Sequence, residues 1–131
     1  MSEFRWPARV YWEDTDGGGI VYYANYLRFL ERARTEWLRA KGYSQAALAR
    51  DPGILFTVVS VQVHYRRPAR LDDELLITCE PHAEGRASLR FAQRILRGAE
   101  LLVDADVRVA CLAAATLRPT RLPESVLAEV D

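Results

Sequence analysis

The stretch that decides the fold is residues 26–42, YLRFLERARTEWLRAKG. Its apolar residues recur with the 3.6-residue period of an α-helix, and its charged residues fall largely on the opposite face. The apolar positions are Tyr26, Phe29, Leu30, Ala33 and Trp37. Gly42 follows as a predicted C-terminal cap. We therefore predict one long amphipathic helix of about five turns.

The chain after this helix is mostly typical of strands. A short second helix is predicted first, from a Ser44 cap to Ala49. Residues 59–65, 75–79, 87–96 and 101–113 then show the period of two of a sheet, with hairpin turns predicted at 84–85 and 98–99. A β-prone run at residues 9–13 precedes the long helix. This order predicts an α+β fold, with a five-stranded antiparallel sheet covering the helix and residues 1–131 forming a single domain.

Composition narrows the functional classes. Eighteen basic and eighteen acidic residues give no net charge that would favour nucleic acid or a membrane surface. The sequence has no membrane-spanning run, no signal-peptide core, and no Cys/His pattern typical of a metal site. Cys79 and Cys111 lie in apolar, strand-like segments, which favours reduced thiols and a cytoplasmic protein. One helix cannot cover both faces and both edges of the sheet, so we predict a homodimer or homotetramer.

Candidate chemistry is concentrated at residues 13–23, EDTDGGGIVYY, where three carboxylates stand beside three glycines before the helix. One interpretation is that Asp16 only supports a turn, because Asp beside Gly is common in turns. The other is a hydrolytic site. There Asp16 attacks the substrate or activates water, and free N–H groups at the helix start stabilise an oxyanion. Local chemistry leaves both interpretations open.

A resemblance favours the second interpretation. Residues 9–26, RVYWEDTDGGGIVYYANY, and 29–36, FLERARTE, closely resemble the signature of the 4-hydroxybenzoyl-CoA thioesterase family. Within it the chain is most similar to the YbgC branch, acyl-CoA thioesterases associated with the bacterial Tol–Pal system. Residues 65–73, YRRPARLDD, and 93–95, QRI, also resemble that branch. The resemblance covers nearly the whole chain. It implies a hotdog fold, in which the sheet wraps around the central helix.

The same resemblance implies an activity and site residues. The activity is hydrolysis of acyl-coenzyme A to a free acid and CoA, with no cofactor beyond the CoA of the substrate and with acyl carrier protein as a second candidate partner. The catalytic carboxylate falls on Asp16, as nucleophile or general base, and the N–H that polarises the thioester carbonyl falls on the backbone of Tyr23. Many YbgC-branch members carry His at that position. A phenol with a pKa of about 10 cannot do the acid–base work of an imidazole at neutral pH.

Four arginines are candidate ligands for the CoA phosphates: Arg66, Arg67, Arg70 and Arg86. Their planar guanidinium groups can pair phosphate oxygens bidentately, although exposed turn arginines often bind nothing. Glu31 is a second candidate acid, since a related hotdog subgroup uses a helical Glu, but it lies on the charged face of the helix. Two alternatives to the thioesterase are a hotdog dehydratase, which would need a His near Asp16, and a non-catalytic protein. The latter would bind acyl thioesters or acyl carrier protein as a Tol–Pal-linked scaffold.

Overall fold

The computed structural model describes residues 3–130, which form a five-stranded antiparallel sheet and one long helix. The strands are β1 (Phe4–Arg9), β2 (Ile54–Tyr65), β3 (Glu74–Glu84), β4 (Ser88–Arg97) and β5 (Glu100–Ala113), arranged in the order β1-β3-β4-β5-β2. The helices are α1 (Asn25–Ala40), α2 (Gln45–Arg50) and α3 (Glu124–Leu127), and a 3₁₀ turn spans Trp12–Asp14. The predicted α+β class and antiparallel sheet are confirmed.

Helix α1 forms where its pattern predicts it, although its 16 residues make somewhat fewer turns than expected. All five predicted apolar positions are buried, and α1 packs mainly on β1, β3 and β4. Gly42 has a φ of +95°, and its N–H donates to the Arg39 carbonyl at 2.9 Å. The predicted cap is therefore correct, because a left-handed residue at this place satisfies carbonyls that the helix leaves open. Ser44 caps α2 as predicted, with its Oγ accepting from Ala47 N at 3.1 Å.

Strand β1 lies earlier in the chain than predicted. The β-prone run at 9–13 instead ends β1 at Arg9 and enters the 3₁₀ turn. The Asp14 carboxylate accepts a hydrogen bond from Tyr11 N at 2.8 Å, and Asp14 N donates to the Tyr11 carbonyl at 3.0 Å. This local bonding competes with the sheet for the same backbone groups and overrides the β propensity of the aromatic residues.

Strand β2 is an edge strand, and the alternation predicted for residues 59–65 is broken by a bulge between Val58 and Ser60. Val59 is the extra residue, and it is 55% exposed. Val61 and Tyr65 are opposite buried valines of β5 but are themselves 40% and 47% exposed, because α1 packs mainly on β1, β3 and β4, away from the β2 edge. In β5 the predicted alternation holds, and it places Val103, Val107, Val109 and Cys111 in the core.

Candidate active site

Asp16 lies on a short closed loop between the 3₁₀ turn and α1. A β-bridge between Thr15 and Val21 closes the loop, and Asp16 N donates to the Ile20 carbonyl at 3.0 Å. Gly17 and Gly19 have φ angles of +88° and +91°, which side-chain-bearing residues rarely adopt. Two of the three glycines are thus required by the backbone path of the loop.

The geometry of the Asp16 carboxylate is compatible with both interpretations of the sequence. Its Oδ1 accepts from Gly18 N at 2.7 Å, which is the Asx turn that the simpler interpretation expects. The side chain is nevertheless exposed, and Oδ2 receives no hydrogen bond from residues 3–130. One oxygen therefore orients the group, and the other is accessible to a substrate or a water molecule.

The start of α1 follows directly. Helix α1 begins at Asn25, whose N–H donates to the Tyr22 carbonyl at 2.8 Å. Within the described part of the chain, the N–H of Tyr23 has no hydrogen-bond acceptor. The Tyr23 side chain is 62% exposed. Its ring centroid lies 5.0 Å from that of Tyr22 and 6.1 Å from that of Tyr65. An open donor at a helix start is favourable for binding a carbonyl oxygen that gains negative charge.

Asp14 has a larger structural role than its sequence context indicates. It is 8% exposed, and its carbonyl accepts from Tyr22 N at 3.0 Å and from the Asn25 side chain at 2.9 Å. Its carboxylate binds Tyr11 N, as described above. Asp14 therefore ties the 3₁₀ turn to the start of α1. An Asp three residues after an aromatic residue is a weak sign of such a turn.

The turn at residues 66–73 pairs with the Asp16 loop. Val21 N donates to the Ala69 carbonyl at 2.9 Å, Leu71 N donates to the Gly19 carbonyl at 3.0 Å, and Ile20 forms a β-bridge with Arg70. The structure thus places three of the four predicted arginines, Arg66, Arg67 and Arg70, on the segment that borders the loop.

The arginines differ in how far they are already neutralised. Arg66 pairs with Asp104 and Arg67 with Glu100, each at 2.9 Å. No ion pair within 4 Å is formed by Arg70 or Arg86 with any residue in the described range 3–130. Arg70 is therefore the cation beside the Asp16 loop with the most capacity to bind an anion.

Arg86 is not part of this group within one chain. It lies in the β3–β4 turn, where the neighbouring Ala87 carbonyl accepts from Cys111 N at 2.8 Å. The 66–73 turn instead borders the start of β5, where Arg66 N donates to the Leu102 carbonyl at 2.8 Å. Cys111 is nine positions after Leu102 along β5, which corresponds to about 30 Å at the usual rise of ~3.3 Å per residue. Arg86 thus lies at the opposite end of the sheet.

Arg97 holds the 66–73 turn in place. It contacts the carboxylates of Asp73 and Glu100, each at 2.7 Å, and Asp73 also accepts from Arg70 N at 2.8 Å. Burial alone would raise the pKa of Asp73. The hydrogen bonds from Arg70 N and Arg97, with the positive charge of Arg97, outweigh burial and lower that pKa below its usual value. The turn is consequently fixed by charge-assisted hydrogen bonds.

Glu31 lies apart from the loop, in a cleft between α1 and the β2 side of the sheet. Its carboxylate accepts from the Thr35 hydroxyl. The cleft has a volume of about 210 Å³ and a mainly apolar floor that includes Trp37 and Phe91. No three His, Cys, Asp or Glu side chains in the described structure converge as a metal site would require. None of the described helices has the length and apolarity needed to cross a membrane.

An antiparallel sheet packed on one long helix, with a carboxylate-bearing loop where that helix begins, has the architecture of a hotdog-fold protein. A sequence model of the thioesterase-like superfamily matches residues 10–130. The chain therefore belongs to the thioesterase-like superfamily. The predictions of a hotdog fold and of a thioester hydrolase are confirmed by this match together with the relatives below.

The relatives span nearly the whole chain. It is 48% identical to the acyl-CoA thioester hydrolase YbgC of Escherichia coli over 127 residues, which cover 96% of this chain and 94% of that protein. It is 41% identical to the acyl-CoA thioesterase YbgC of Haemophilus influenzae, with 95% and 92% covered. Among solved structures, a probable thioesterase from Bartonella henselae superposes with a TM-score of 0.88 at 37% identity, covering 93% of this chain and all of that one.

Proposed function

We propose that this protein hydrolyses acyl-CoA thioesters, with Asp16 as the catalytic carboxylate and the Tyr23 N–H as the donor to the thioester carbonyl. The single observation that carries this proposal is the arrangement of the loop. The loop presents a carboxylate oxygen and leads directly to the Tyr23 N–H, and neither group has a hydrogen-bond partner among residues 3–130. Similarity to acyl-CoA thioester hydrolases supports the choice of substrate.

Two routes are compatible with this geometry. In the nucleophilic route, Oδ2 of Asp16 attacks the thioester carbonyl carbon, the C–S bond breaks, CoA leaves as a thiolate, and water then opens the mixed anhydride. In the general-base route, Asp16 takes a proton from water as that water attacks the same carbon. The C–S bond then breaks, and the CoA thiolate leaves and takes up the proton. The Tyr23 N–H binds the carbonyl oxygen as it becomes negative in both routes.

A single turnover in ¹⁸O-labelled water, with enzyme in excess, separates the routes. Label incorporated into Asp16 would establish the anhydride, because the general-base route leaves the aspartate unlabelled. If label enters only the product acid, trapping with hydroxylamine is the second test. Failure to trap an anhydride would then favour the general-base route.

The function itself is tested with Asp16→Asn. The amide oxygen can still accept from Gly18 N, so the turn should persist while the charge is lost. We expect at least a ~100-fold lower kcat for acyl-CoA, the low end for removing a positioned acid–base group. Glu13→Gln is the matched control, since Glu13 is an exposed carboxylate three residues away. An Asp16→Asn protein that keeps half the wild-type kcat would contradict the role of Asp16. A wild-type protein that binds but never hydrolyses acyl-CoA or acyl carrier protein thioesters would favour the scaffold alternative.

The arginines of the 66–73 turn are the proposed contacts for the CoA phosphates, with Arg70 as the principal one. Arg70→Ala should raise KM for acyl-CoA by roughly 10- to 150-fold, the loss of one charge-assisted hydrogen bond. It should not change KM for an acyl-pantetheine that lacks the nucleotide. Arg66→Ala should have a smaller effect, because Arg66 is already paired with Asp104. An equal rise for both substrates would contradict phosphate binding. Arg86 can join this cluster only through a second copy of the chain.

The proposed assembly is a homodimer or homotetramer formed through β2. This strand has no neighbour on one edge among residues 3–130, and Val59 and Val61 are exposed on it. Sedimentation at micromolar concentration should give at least twice the chain mass of 14.9 kDa. Val59→Lys should lower that mass, since a buried lysine at an edge opposes strand pairing. A fully active wild-type monomer would contradict the proposal. The cytoplasmic location stays a prediction, which cell fractionation tests.

A further inference from the structure

The hydroxyl of Tyr26 is buried and forms one specific contact. Its oxygen accepts a hydrogen bond from Ala69 N at 2.9 Å, and the two residues are 3% and 0% exposed. Burial raises the pKa of Tyr26 above its usual value, although the Ala69 hydrogen bond opposes the shift, so the group is a neutral phenol at neutral pH. A phenol in this position satisfies a backbone N–H that would otherwise be buried without a partner.

Both backbone polar groups of Ala69 form hydrogen bonds. Its N–H donates to Tyr26 on α1, and its carbonyl accepts from Val21 N at 2.9 Å. Val21 is also the residue that closes the Asp16 loop by its bridge to Thr15. A continuous path of hydrogen bonds therefore runs from the phenol of Tyr26, through one residue of the 66–73 turn, to the base of the loop.

This path connects the two reactive groups of the proposed site. Tyr26 is the second residue of α1 and follows Tyr23, whose N–H is the proposed carbonyl donor, by three positions. The ring centroid of Tyr26 also lies 5.6 Å from that of Tyr65, and the Tyr65 centroid lies 6.1 Å from that of Tyr23. We propose that Tyr26 is a positioning residue, whose hydroxyl holds the Asp16 loop at a fixed place relative to the start of α1. This inference rests on the proposed function.

The loop needs such a brace because it has little packing of its own. Asp16 is exposed, and the three residues that follow it are glycines, whose backbone is conformationally free. Attack on a carbonyl requires near-contact geometry between Asp16 and a carbon whose oxygen binds the Tyr23 N–H. A misplacement of about 1 Å can lower a rate by about 100-fold. The hydrogen bonds through Ala69 join the loop to a rigid helix.

The test compares Tyr26→Phe with Thr78→Val. Both variants remove a hydroxyl from a buried side chain and leave one backbone N–H without its acceptor. The Thr78 hydroxyl accepts from Arg94 N at 2.9 Å between β3 and β4, and Thr78 is fully buried. The two substitutions are nearly isosteric, so both proteins should fold. The readouts are kcat, KM, the melting temperature, and hydrogen exchange of the Val21 amide.

We expect Tyr26→Phe to lower kcat by about 10- to 100-fold with KM unchanged, because the phenol positions the loop and does not touch the substrate. Exchange at Val21 should become faster than in the wild type. Thr78→Val should lower the melting temperature to a similar extent while leaving kcat and Val21 exchange at wild-type values. This split distinguishes positioning from a general loss of stability.

Two outcomes would overturn the inference. One is a Tyr26→Phe protein with wild-type kcat or wild-type exchange at Val21. The other is an equal fall of kcat in both variants, which would show that any buried hydrogen bond of this kind matters equally. If the wild-type protein hydrolyses no thioester, the proposed function fails, and exchange at Val21 alone decides whether Tyr26 braces the loop.

Discussion

Gly18→Ala offers a direct test of whether the position of the Asp16 carboxylate matters. Unlike Gly17 and Gly19, Gly18 does not have a positive φ, so alanine can adopt its backbone conformation. A Cβ built at this position would lie 3.1 Å from Asp16 Oδ1 and 3.9 Å from its Cγ. The substitution therefore presses on the carboxylate and leaves the backbone path unchanged.

The size of the effect follows from that contact. The carboxylate must move by a few tenths of an ångström to accommodate the methyl group. If a misplacement of about 1 Å lowers a rate by about 100-fold, a shift of this size lowers kcat by roughly three- to tenfold. An off-rotamer side chain costs about 0.5–1.5 kcal/mol. Replacing Gly by Ala at a compatible position stabilises the folded state by about 0.4–1 kcal/mol, because it lowers the entropy of the unfolded chain. The free energy of unfolding should therefore change little.

Gly17→Ala is the matched control. Among residues 3–130, and apart from its two chain neighbours, no atom lies within 4 Å of a Cβ built at Gly17, but its φ of +88° strains alanine by about 1–2 kcal/mol. Thermal unfolding and steady-state kinetics with one acyl-CoA are measured for both variants. Gly18→Ala should lose kcat at a constant melting temperature, whereas Gly17→Ala should melt several degrees lower. A folded Gly18→Ala protein with wild-type kcat would refute the argument that Asp16 must be held where the Asx turn places it.

Three further predictions concern stability and thiol reactivity. Hydrogen bonds from Arg70 N and Arg97 lower the pKa of Asp73 below its unfolded value of about 3.9. The contribution of Asp73 to the free energy of unfolding is therefore fully present above the unfolded pKa and is lost as the pH falls through the folded pKa. The difference in unfolding free energy between wild type and Asp73→Asn, measured by urea unfolding, should thus shrink below about pH 4. A difference that stays constant across this range would contradict the prediction. Burial raises the pKa of the Cys79 thiol to about 12 and also raises that of Cys111, so a thiol reagent at pH 8 should modify both only after unfolding. Ser44→Ala should cost about 0.5–2 kcal/mol of unfolding free energy without changing kcat.

Helix α1 could be predicted because its information is local. The apolar period and the glycine cap lie within one stretch, and both appear in the structure where the pattern places them. Strand β1 could not be placed, since Asp14 diverts Tyr11 and Trp12 into a 3₁₀ turn through side-chain hydrogen bonds. The bulge at Val59 could not be predicted either, because Val58 and Val59 are equally suited to a strand.

The site was only partly accessible to the same reasoning. Asp16 is identified by resemblance, since its local pattern alone favours a plain turn, and its catalytic role stays a prediction. The pairing of Arg66 with Asp104 joins residues far apart in sequence, and no local period reveals it. The contact between Tyr26 and Ala69 is likewise long-range. A tyrosine at a buried helical position is a weak signal that its hydroxyl has a partner.

The strand order also has a consequence for synthesis of the protein. Helix α1 and strand β1 are complete by Ala40, but their main packing partners, β3 and β4, begin only at Glu74. At the usual ~5–20 residues per second, the ribosome needs several seconds to add the missing strands. During that time α1 can pack on β1, but the part of its apolar face that β3 and β4 cover stays exposed. Yield in a cell should therefore depend on translation speed between residues 40 and 97, and on chaperones that bind an exposed amphipathic helix.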